Sequence, residues 1–426
     1  MTDQSHQQEE SPSSSSSPSS TTTVNLLDLA AACVASTVAA AHPIREHAAD
    51  RVLPDAREKY DGSLVTDADY AAQGVIYRCL KEVPGNYRIV GEESPEEMEM
   101  HSPPESPEQT LERKRIFKLA QEELLEHYDV QNGRRGVVGK QSAGEIEKKE
   151  ESDNPVMMNG LDSPTSSGKV YDSHDNDVSP SKASAPSNAH VVDASRVSVF
   201  IDPLDGTKSY AKGDYDTVTI LVAIILDNVP YFGVITKPFR YKSHDPVVFD
   251  GLTGICVYGG LLLGGVYVAG KQGQCEIQPP LLEEQPQEGS TRSLRRALPR
   301  AVISSSRSGG IVQEFVHHLA DQGIINPSTI HVSGAGEKSL RLLLGVDGES
   351  LWFFPRPGTA RWDVAASDAM LRVFGGKVTD KYGADLDYTI NREEAENKNG
   401  IIASNDGTIL KACVDAFQQE EWSSQR

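Results

Sequence analysis

The chain is poor in the residues that build zinc sites, disulfide scaffolds and nucleic-acid surfaces. Its five cysteines, Cys33, Cys79, Cys256, Cys275 and Cys413, are scattered, odd in number and never spaced as CxxC. That argues against a zinc site or a disulfide framework and suits a reducing compartment. Basic residues are outnumbered, with 41 Lys and Arg against 62 Asp and Glu and a net charge of −21, so a basic face for nonspecific nucleic-acid binding is not expected. Aromatics make up 6% and hydrophobic residues 38% of the 426 residues, low enough to expect disorder in part of the chain. Long apolar runs are missing too. The nearest is Val24 to Ala41, interrupted by Asn25, Asp28, Ser36 and Thr37 and short of the roughly 20 residues a bilayer span needs. Residues 1–23 are Ser-rich and carry Glu9 and Glu10, unlike a transit or signal peptide. The expectation is a cytoplasmic protein without a membrane partner. Gly259-Gly260 and Gly264-Gly265 have neither P-loop nor GxGxxG spacing and read as strand bends.

What remains is orderly. Leu27, Ala31, Val34, Val38 and Ala41 recur at helical spacing up to Pro43, and a second helix runs from Ala68 to Glu82 with Pro84-Gly85 as its stop. Tyr87 to Val90 and Val197 to Ile201 read as strands. Thr217 to Leu226 and Tyr231 to Thr236 read as a hairpin around Asp227-Asn228, with further strands between Val247 and Ala269. Between Pro95 and Asp193 the composition turns polar. A helix is expected there from Leu111 to Tyr128, and a disordered insertion over about 129–192. From Arg300 strands and helices alternate: strands at Ala301 to Ser304, Ile330 to Ser333, Leu351 to Phe354 and Gly400 to Ala403, helices at Ile311 to Ala320, Glu337 to Leu344 and Val364 to Phe374. This predicts an α/β (α+β) protein: an α+β unit over 24–295 with an antiparallel sheet, a polar boundary at Gln278 to Arg296, and a smaller α/β unit over 298–415.

The strongest chemical signal is Asp202-Pro203-Leu204-Asp205-Gly206-Thr207, directly after a strand. Two carboxylates three residues apart, with Pro and Gly forcing a turn, share a small volume and call for cations between them. All-oxygen ligands with room for water favour Mg²⁺. Gly206 lets an anion approach the backbone, where the amides of Gly206 and Thr207 could cap a phosphate. The plain alternative is an Asx-type turn. Glu92 after its strand, Asp69 at the start of the second helix and Asp363 before Val364 to Phe374 are three more acids at element ends. Singly each reads as a loop residue or a helix cap; together they form a set suited to a multi-metal phosphate site.

Gly91-Glu92-Glu93, Asp202-Pro203-Leu204-Asp205-Gly206-Thr207 and Trp362-Asp363-Val364-Ala365-Ala366 resemble, in order, the three signatures of the inositol monophosphatase-like superfamily of lithium-sensitive, Mg²⁺-dependent phosphatases. Within it, the stretch Asp202 to Phe239 looks most like the 3′(2′),5′-bisphosphate nucleotidases. Ser304-Ser305-Ser306-Arg307-Ser308 and Gly334-Ala335-Gly336-Glu337-Lys338 are similar to their nucleotide-binding segments. The resemblance implies a layered αβαβα sandwich and two or three Mg²⁺ ions on Glu92, Asp202, the Leu204 carbonyl, Asp205 and Asp363. It implies that Asp69 and Thr207 position and deprotonate the attacking water. Gly206, Thr207, Ser306, Gly334, Lys338 and Asp363 would then meet a small phosphorylated nucleotide. The implied reaction is removal of the 3′-phosphate of adenosine 3′,5′-bisphosphate, or also of 3′-phosphoadenylyl sulfate, by a monomer or homodimer. Inositol polyphosphate 1-phosphatase or inositol monophosphatase activity is the alternative, and a non-catalytic nucleotide sensor a more distant one. Where the family usually has His after the Arg-Ser of the Ser306 segment, this chain has Gly309. For the second phosphate Lys338 is the leading candidate, with Arg307 and Arg361 behind it, while Trp352-Phe353-Phe354 reads as sheet core.

Overall fold

The computed structural model describes residues 22–49, 56–59, 62–133, 190–239, 254–270, 276–280, 284–286, 294–296 and 298–419. The expected Ser-rich tail and most of the expected insertion lie outside the described residues.

The first unit begins with β1 (Thr23–Asn25), α1 (Leu26–Ala49), β2 (Ala56–Glu58), β3 (Leu64–Thr66), α2 (Asp67–Lys81) and β4 (Arg88–Gly91). After α3 (Pro95–His101), α4 (Pro107–Gln131) and β5 (Val191–Asp193) come β6 (Val197–Asp205), α5 (Thr207–Tyr210), β7 (Thr219–Leu226), β8 (Val229–Lys237), β9 (Ile255–Gly260) and β10 (Gly265–Val268). A ribbon, β11 (Glu284–Pro286) with β12 (Leu294–Arg296), leads to the second unit. That unit contains β13 (Arg300–Ser304), α6 (Ile311–Asp321), β14 (Ile330–Val332), α7 (Ala335–Leu344), β15 (Glu349–Phe354), α8 (Arg361–Leu371), β16 (Lys377–Thr379), β17 (Ile401–Ser404) and α9 (Gly407–Gln418).

Two sheets carry the fold. The first has the order β10-β9-β8-β7-β6-β4, antiparallel except for the parallel pair β4–β6. The second has the order β14-β13-β15-β17-β16; it is parallel on the β14 side and antiparallel at β17. One face of the first sheet buries Val199, Ile201, Ile220 and Val222 against α1, α2 and α4, while its other face packs Phe200, Leu221 and Ala223 onto α7 and α8. Those two helices meet Val302, Trp352 and Phe354 of the second sheet, whose far face packs on α6 and α9 through Phe315, Phe353 and Phe417. The alternation of side chains along each strand builds this αβαβα sandwich, because each sheet has two apolar faces to cover.

The hairpin turn at Asp227-Asn228 is as expected, with φ of 49° and 66°, the left-handed pair that matches strand twist. Pro43 does not end the first helix: α1 runs on to Ala49 because Pro43 and Ile44 are still buried, and the Tyr210 hydroxyl donates to the Ile44 carbonyl at 2.8 Å. Among the described residues α1 alone is long and apolar enough to cross a bilayer, yet it is core here, packed by α2 and α4. Its Ser36 and Thr37 hydroxyls donate to the carbonyls of Cys33 and Val34. The polar stretch after Pro95 holds more helix than expected. Ser94 and Ser106 cap α3 and α4, and Arg113 is buried against Glu82 and Glu105. Residues 129–131 and 191–192, expected to be disordered, belong to α4 and to β5, which pairs with β1.

A tight joint between layers is Gly233 on β8, where a Cβ would lie 2.1 Å from the Ala366 carbonyl oxygen of α8. Gly233→Ala should force the helix off the sheet and cost about 1–3 kcal/mol. The expected reading is a lower urea midpoint with an unchanged slope; an unaltered midpoint would show that this contact does not set the spacing of the layers.

Candidate active site

The strand β6 does not stop at Ile201 but continues through Asp205, and the expected turn within Asp202 to Asp205 is a break in its register. Asp202 pairs with Leu221 and Asp205 with Thr219, three steps on β6 against two on β7. Residues three apart on a regular strand face opposite sides; the extra residue of this bulge restores the phase and turns both carboxylates toward one side. Pro203, which has no N–H to give the ladder, sits inside the irregularity. The Leu204 amide donates to Asp202 Oδ1 at 3.1 Å. Gly206, at φ 90°, then opens α5 with Thr207 as its first residue.

The acids predicted from the sequence do converge. The Glu92 amide donates to the Ile201 carbonyl at 3.0 Å, setting Glu92 beside the end of β6. Asp202 is buried and shares hydrogen bonds with Glu92 and Asp363. Burial, then the charges of Glu92, Asp205 and Asp363, hold its carboxyl well above the ordinary carboxylate range. Asp363 is raised to about 8 by burial and by Asp205. Asp205 accepts from the amides of Ala335 at 3.0 Å and Gly336 at 2.7 Å, at the N-terminus of α7, and from the Thr219 hydroxyl at 3.0 Å. A Cβ on Gly336 would sit 2.0 Å from Thr219 Oγ1, and Gly334 has φ 73° with a Cβ position 2.7 Å from the Thr217 carbonyl. Only glycines allow α7 to come this close.

Asp69 and Asp363 are not helix caps. Each lies in the first turn of its helix and reaches back to the amide of the preceding cap residue, Thr66 at 2.8 Å and Ala360 at 2.9 Å. In both cases Oδ2 does this work. Asp69 Oδ1 lies 3.2 Å from Thr207 Oγ1, which also stands 3.0 Å from the Leu204 carbonyl. Asp69 is fully buried, and burial together with the Glu92 charge lifts its carboxyl to about 7.

Two neighbours escape a sequence reading. Lys59 bonds Glu92 at 3.0 Å and Glu93 at 2.6 Å; burial opposes its charge, but the two glutamates hold its proton above the usual lysine range. Glu93 is almost wholly buried and backed by Gln73, which exchanges hydrogen bonds with its backbone at 2.7 and 3.0 Å. The signal in the chain was the doubled acid after β4, but the lysine sits more than thirty residues upstream. Arg392 completes the support, donating to the Glu92 carbonyl at 2.9 Å.

The donor set fits a hard cation: it is all oxygen, buried or half-buried, and over-charged. Among the described residues no three His, Cys, Asp or Glu side chains close into a ready-made cage. The hydrogen bonds explain this, since Asp205 is engaged by α7 and Glu92 by Lys59.

On the substrate side Lys338 is buried, donates to the Gly334 carbonyl at 2.5 Å and lies 5.2 Å above the Trp352 ring. Burial lowers it to about 8 against the pull of Asp205. Ser306 and Arg307 are exposed in the segment after β13. Arg361 does not stand behind Lys338: its guanidinium is fixed by the Asp387 carbonyl and the Asn397 side chain. Trp352, Phe353 and Phe354 are sheet core, as expected.

The profile of the inositol monophosphatase family matches residues 169–421. The mouse protein named 3′(2′),5′-bisphosphate nucleotidase 1 is 30% identical over 227 residues, 52% of this chain and 62% of that protein. The zebrafish protein named inositol monophosphatase 3 is 29% identical over 216 residues, 50% of this chain and 51% of its own. The chain thus matches less than two thirds of the length of these relatives. Among solved structures, CysQ from Bacteroides thetaiotaomicron aligns over 88% of this chain and 96% of its own at 16% identity, with a TM-score of 0.47. Asp69 and Glu92 precede the matched family segment; Asp202, Asp205, Thr207, Gly334, Lys338 and Asp363 lie inside it.

Acids whose proton is bound more tightly in the folded chain contribute stability that is complete below their unfolded values near pH 4 and lost as pH rises through their folded ones, about 7 for Asp69 and about 8 for Asp363. With divalent cations chelated, the urea midpoint should fall from roughly pH 5 to pH 9. Asp363→Asn should flatten that fall. An identical slope in wild type and variant would show that Asp363 holds no excess proton.

Proposed function

We propose that this chain, which belongs to the inositol monophosphatase family, is a Mg²⁺-dependent phosphomonoesterase that hydrolyses the 3′-phosphate of adenosine 3′,5′-bisphosphate to AMP and phosphate. On this reading it also acts on 3′-phosphoadenylyl sulfate. The observation that carries it is the Asp69–Thr207 pair at 3.2 Å, set beside carboxylates that repel one another. A binding protein needs no poised base; an esterase does. The relatives named for bisphosphate nucleotidase activity support the nucleotide. The relative named for inositol monophosphatase keeps an inositol ester as the second substrate class.

Glu92, Asp202, the Leu204 carbonyl, Asp205 and Asp363 are the groups that would hold Mg²⁺. When bound, such ions neutralise phosphoryl oxygens and acidify water. The chain's own residues do the rest. With its hydroxyl proton turned to Asp69, Thr207 leaves its oxygen lone pairs free to accept from a water and aim it at phosphorus. As the water oxygen bonds to phosphorus and the bond to the 3′-oxygen breaks, the water proton is relayed through Thr207 to Asp69. The departing 3′-oxygen takes a proton from solvent. Burial raises Asp69 above the ordinary carboxylate range, which strengthens it as a base. Lys338, buried beside Asp205, holds the substrate side of the site. The proposed setting is the cytoplasm, a reading supported by the buried free thiols of Cys33, Cys79, Cys256 and Cys413.

Phosphate release should be measured side by side from adenosine 3′,5′-bisphosphate and inositol 1,4-bisphosphate with Mg²⁺. Faster turnover of the nucleotide is expected; a much faster inositol ester overturns the substrate assignment. Asp69→Asn should cut kcat by roughly 10²–10⁴-fold with little change in KM, and Asp205→Asn should remove Mg²⁺-dependent turnover. Unaffected rates in both variants would refute the site.

A further inference from the structure

A cavity of about 250 Å³ lies along β4, the end strand of the first sheet, between α2, α3 and residues 391–393 of the second unit. Neither Thr207 nor any acid of the proposed metal site lines it. Its lining is apolar in large part, from Tyr77, Ile89, Met98 and Ile201. An apolar cavity of about 150 Å³ holds benzene, so this one has room for a single ring with a small head group.

The polar groups of the wall are unequal. Its donors are spent. Arg88 gives Nη1 to the carbonyls of Thr389 and Ile390 and Nη2 to that of Tyr388. Arg392 gives Nε and Nη2 to the Glu92 carbonyl at 2.9 and 2.6 Å, and Gln73 exchanges hydrogen bonds with the Glu93 backbone. Its acceptors are not spent. Glu93, which lines the cavity, is 1% exposed; Lys59 reaches its Oε1, while its Oε2 is buried without a hydrogen-bond partner. Glu393 adds an exposed carboxylate to the same lining. A buried carboxylate oxygen left without a donor is costly. A guest with a positively charged donor head satisfies it, and an anion does not. The apolar lining asks for an apolar body on that guest.

The same wall fastens a residue of the proposed metal site. Arg392 holds the backbone of Glu92, and Gln73 holds that of Glu93. Gly91 lets Gln73 in so close that a Cβ there would lie 2.7 Å from Gln73 Oε1. A positive guest on Glu93 would stand one residue from Glu92, and like charges so near repel. Each would then weaken the other by the same factor.

We propose that this cavity is a site for a small organic monocation, with an apolar body and a head that donates to Glu93, and that its occupant opposes divalent metal at Glu92. The opposition rests on the reading of the acids as Mg²⁺ ligands; the site itself does not. The probe is benzamidine, a cation at neutral pH, with uncharged benzamide as its control, titrated calorimetrically into the full-length protein with divalent ions chelated. Benzamidine should bind at least tenfold more tightly than benzamide. Glu93→Gln, which removes the charge, and Met98→Trp, which fills the cavity from α3, should each weaken benzamidine about tenfold. Saturating Mg²⁺ should weaken it about fivefold. No binding, equal binding of benzamidine and benzamide, or undiminished binding to both variants overturns the site. A parallel titration with Mg²⁺ alone shows whether the acids hold the metal. If they hold it and benzamidine binds as before, the opposition is wrong; if they do not, the metal reading and the opposition fall together, and the two variants still decide the site.

Discussion

Burying several carboxylates in one cleft is the constraint around which this molecule is arranged. An ionised carboxylate removed from water costs several kcal/mol unless hydrogen bonds or opposite charge compensate it. Here each acid is compensated by a different element. Asp205 is held by the amides that open α7, Asp69 and Asp363 by the cap amides of α2 and α8, and Glu92 by Lys59. Three helix N-termini therefore point into one volume, and their partial positive charge suits both the acids and an anionic substrate. What compensation remains undone shows in the carboxyls of Asp202 and Asp363, which burial and neighbouring acids raise above the ordinary range.

The same bonds weld the layers together. The middle layer of α7 and α8 packs on both sheets, so the two units share one core. Lys237 of β8 reaches across to Glu337 of α7 at 2.7 Å, with both groups buried, and Arg341 ties the same helix to Glu349 at 2.9 Å. Arg88 holds the carbonyls of Tyr388, Thr389 and Ile390, and Arg392 holds that of Glu92. Residues near the end of the chain thus fix an acid near its beginning. Assembling the cleft and closing the sandwich are one event.

Charge is distributed with purpose in a chain of net −21. A surface so acidic repels phosphate esters at long range. Within the site the sign changes with position: carboxylates lie where bound cations would neutralise phosphoryl oxygens, and Lys338 is buried within reach of Asp205's charge.

Much was legible before folding was considered. The limits of α2, the hairpin about Asp227-Asn228 and the strand-helix alternation after Arg300 are local: they depend on period, turn residues and stops within a dozen positions. The DPLDGT run announced the chemistry because two carboxylates beside Pro and Gly crowd one strand end, and Trp362-Asp363 joined it through resemblance to a family signature. Other features were hidden for a physical reason. The α9 helix is marked in the sequence only by its cap, Asp406, which accepts from the amides of Thr408 and Ile409. Pro43 looked like a stop because only packing of the neighbouring layer keeps a helix going past it.

The sequence by itself decided which residues are acid, roughly where most strands and helices lie, and that oxygen ligands rather than sulfur or imidazole would serve. The tertiary structure alone decided which of them meet. It brought Asp69 and Glu92, both outside the matched family segment, to Asp202 and Thr207 more than a hundred residues away. It put Asp202 and Asp205 on one side through a bulge that no local pattern shows. It released Arg361 to a structural role. Proximity across long loops depends on how whole layers pack, and packing energy is shared among many residues rather than written in any one segment.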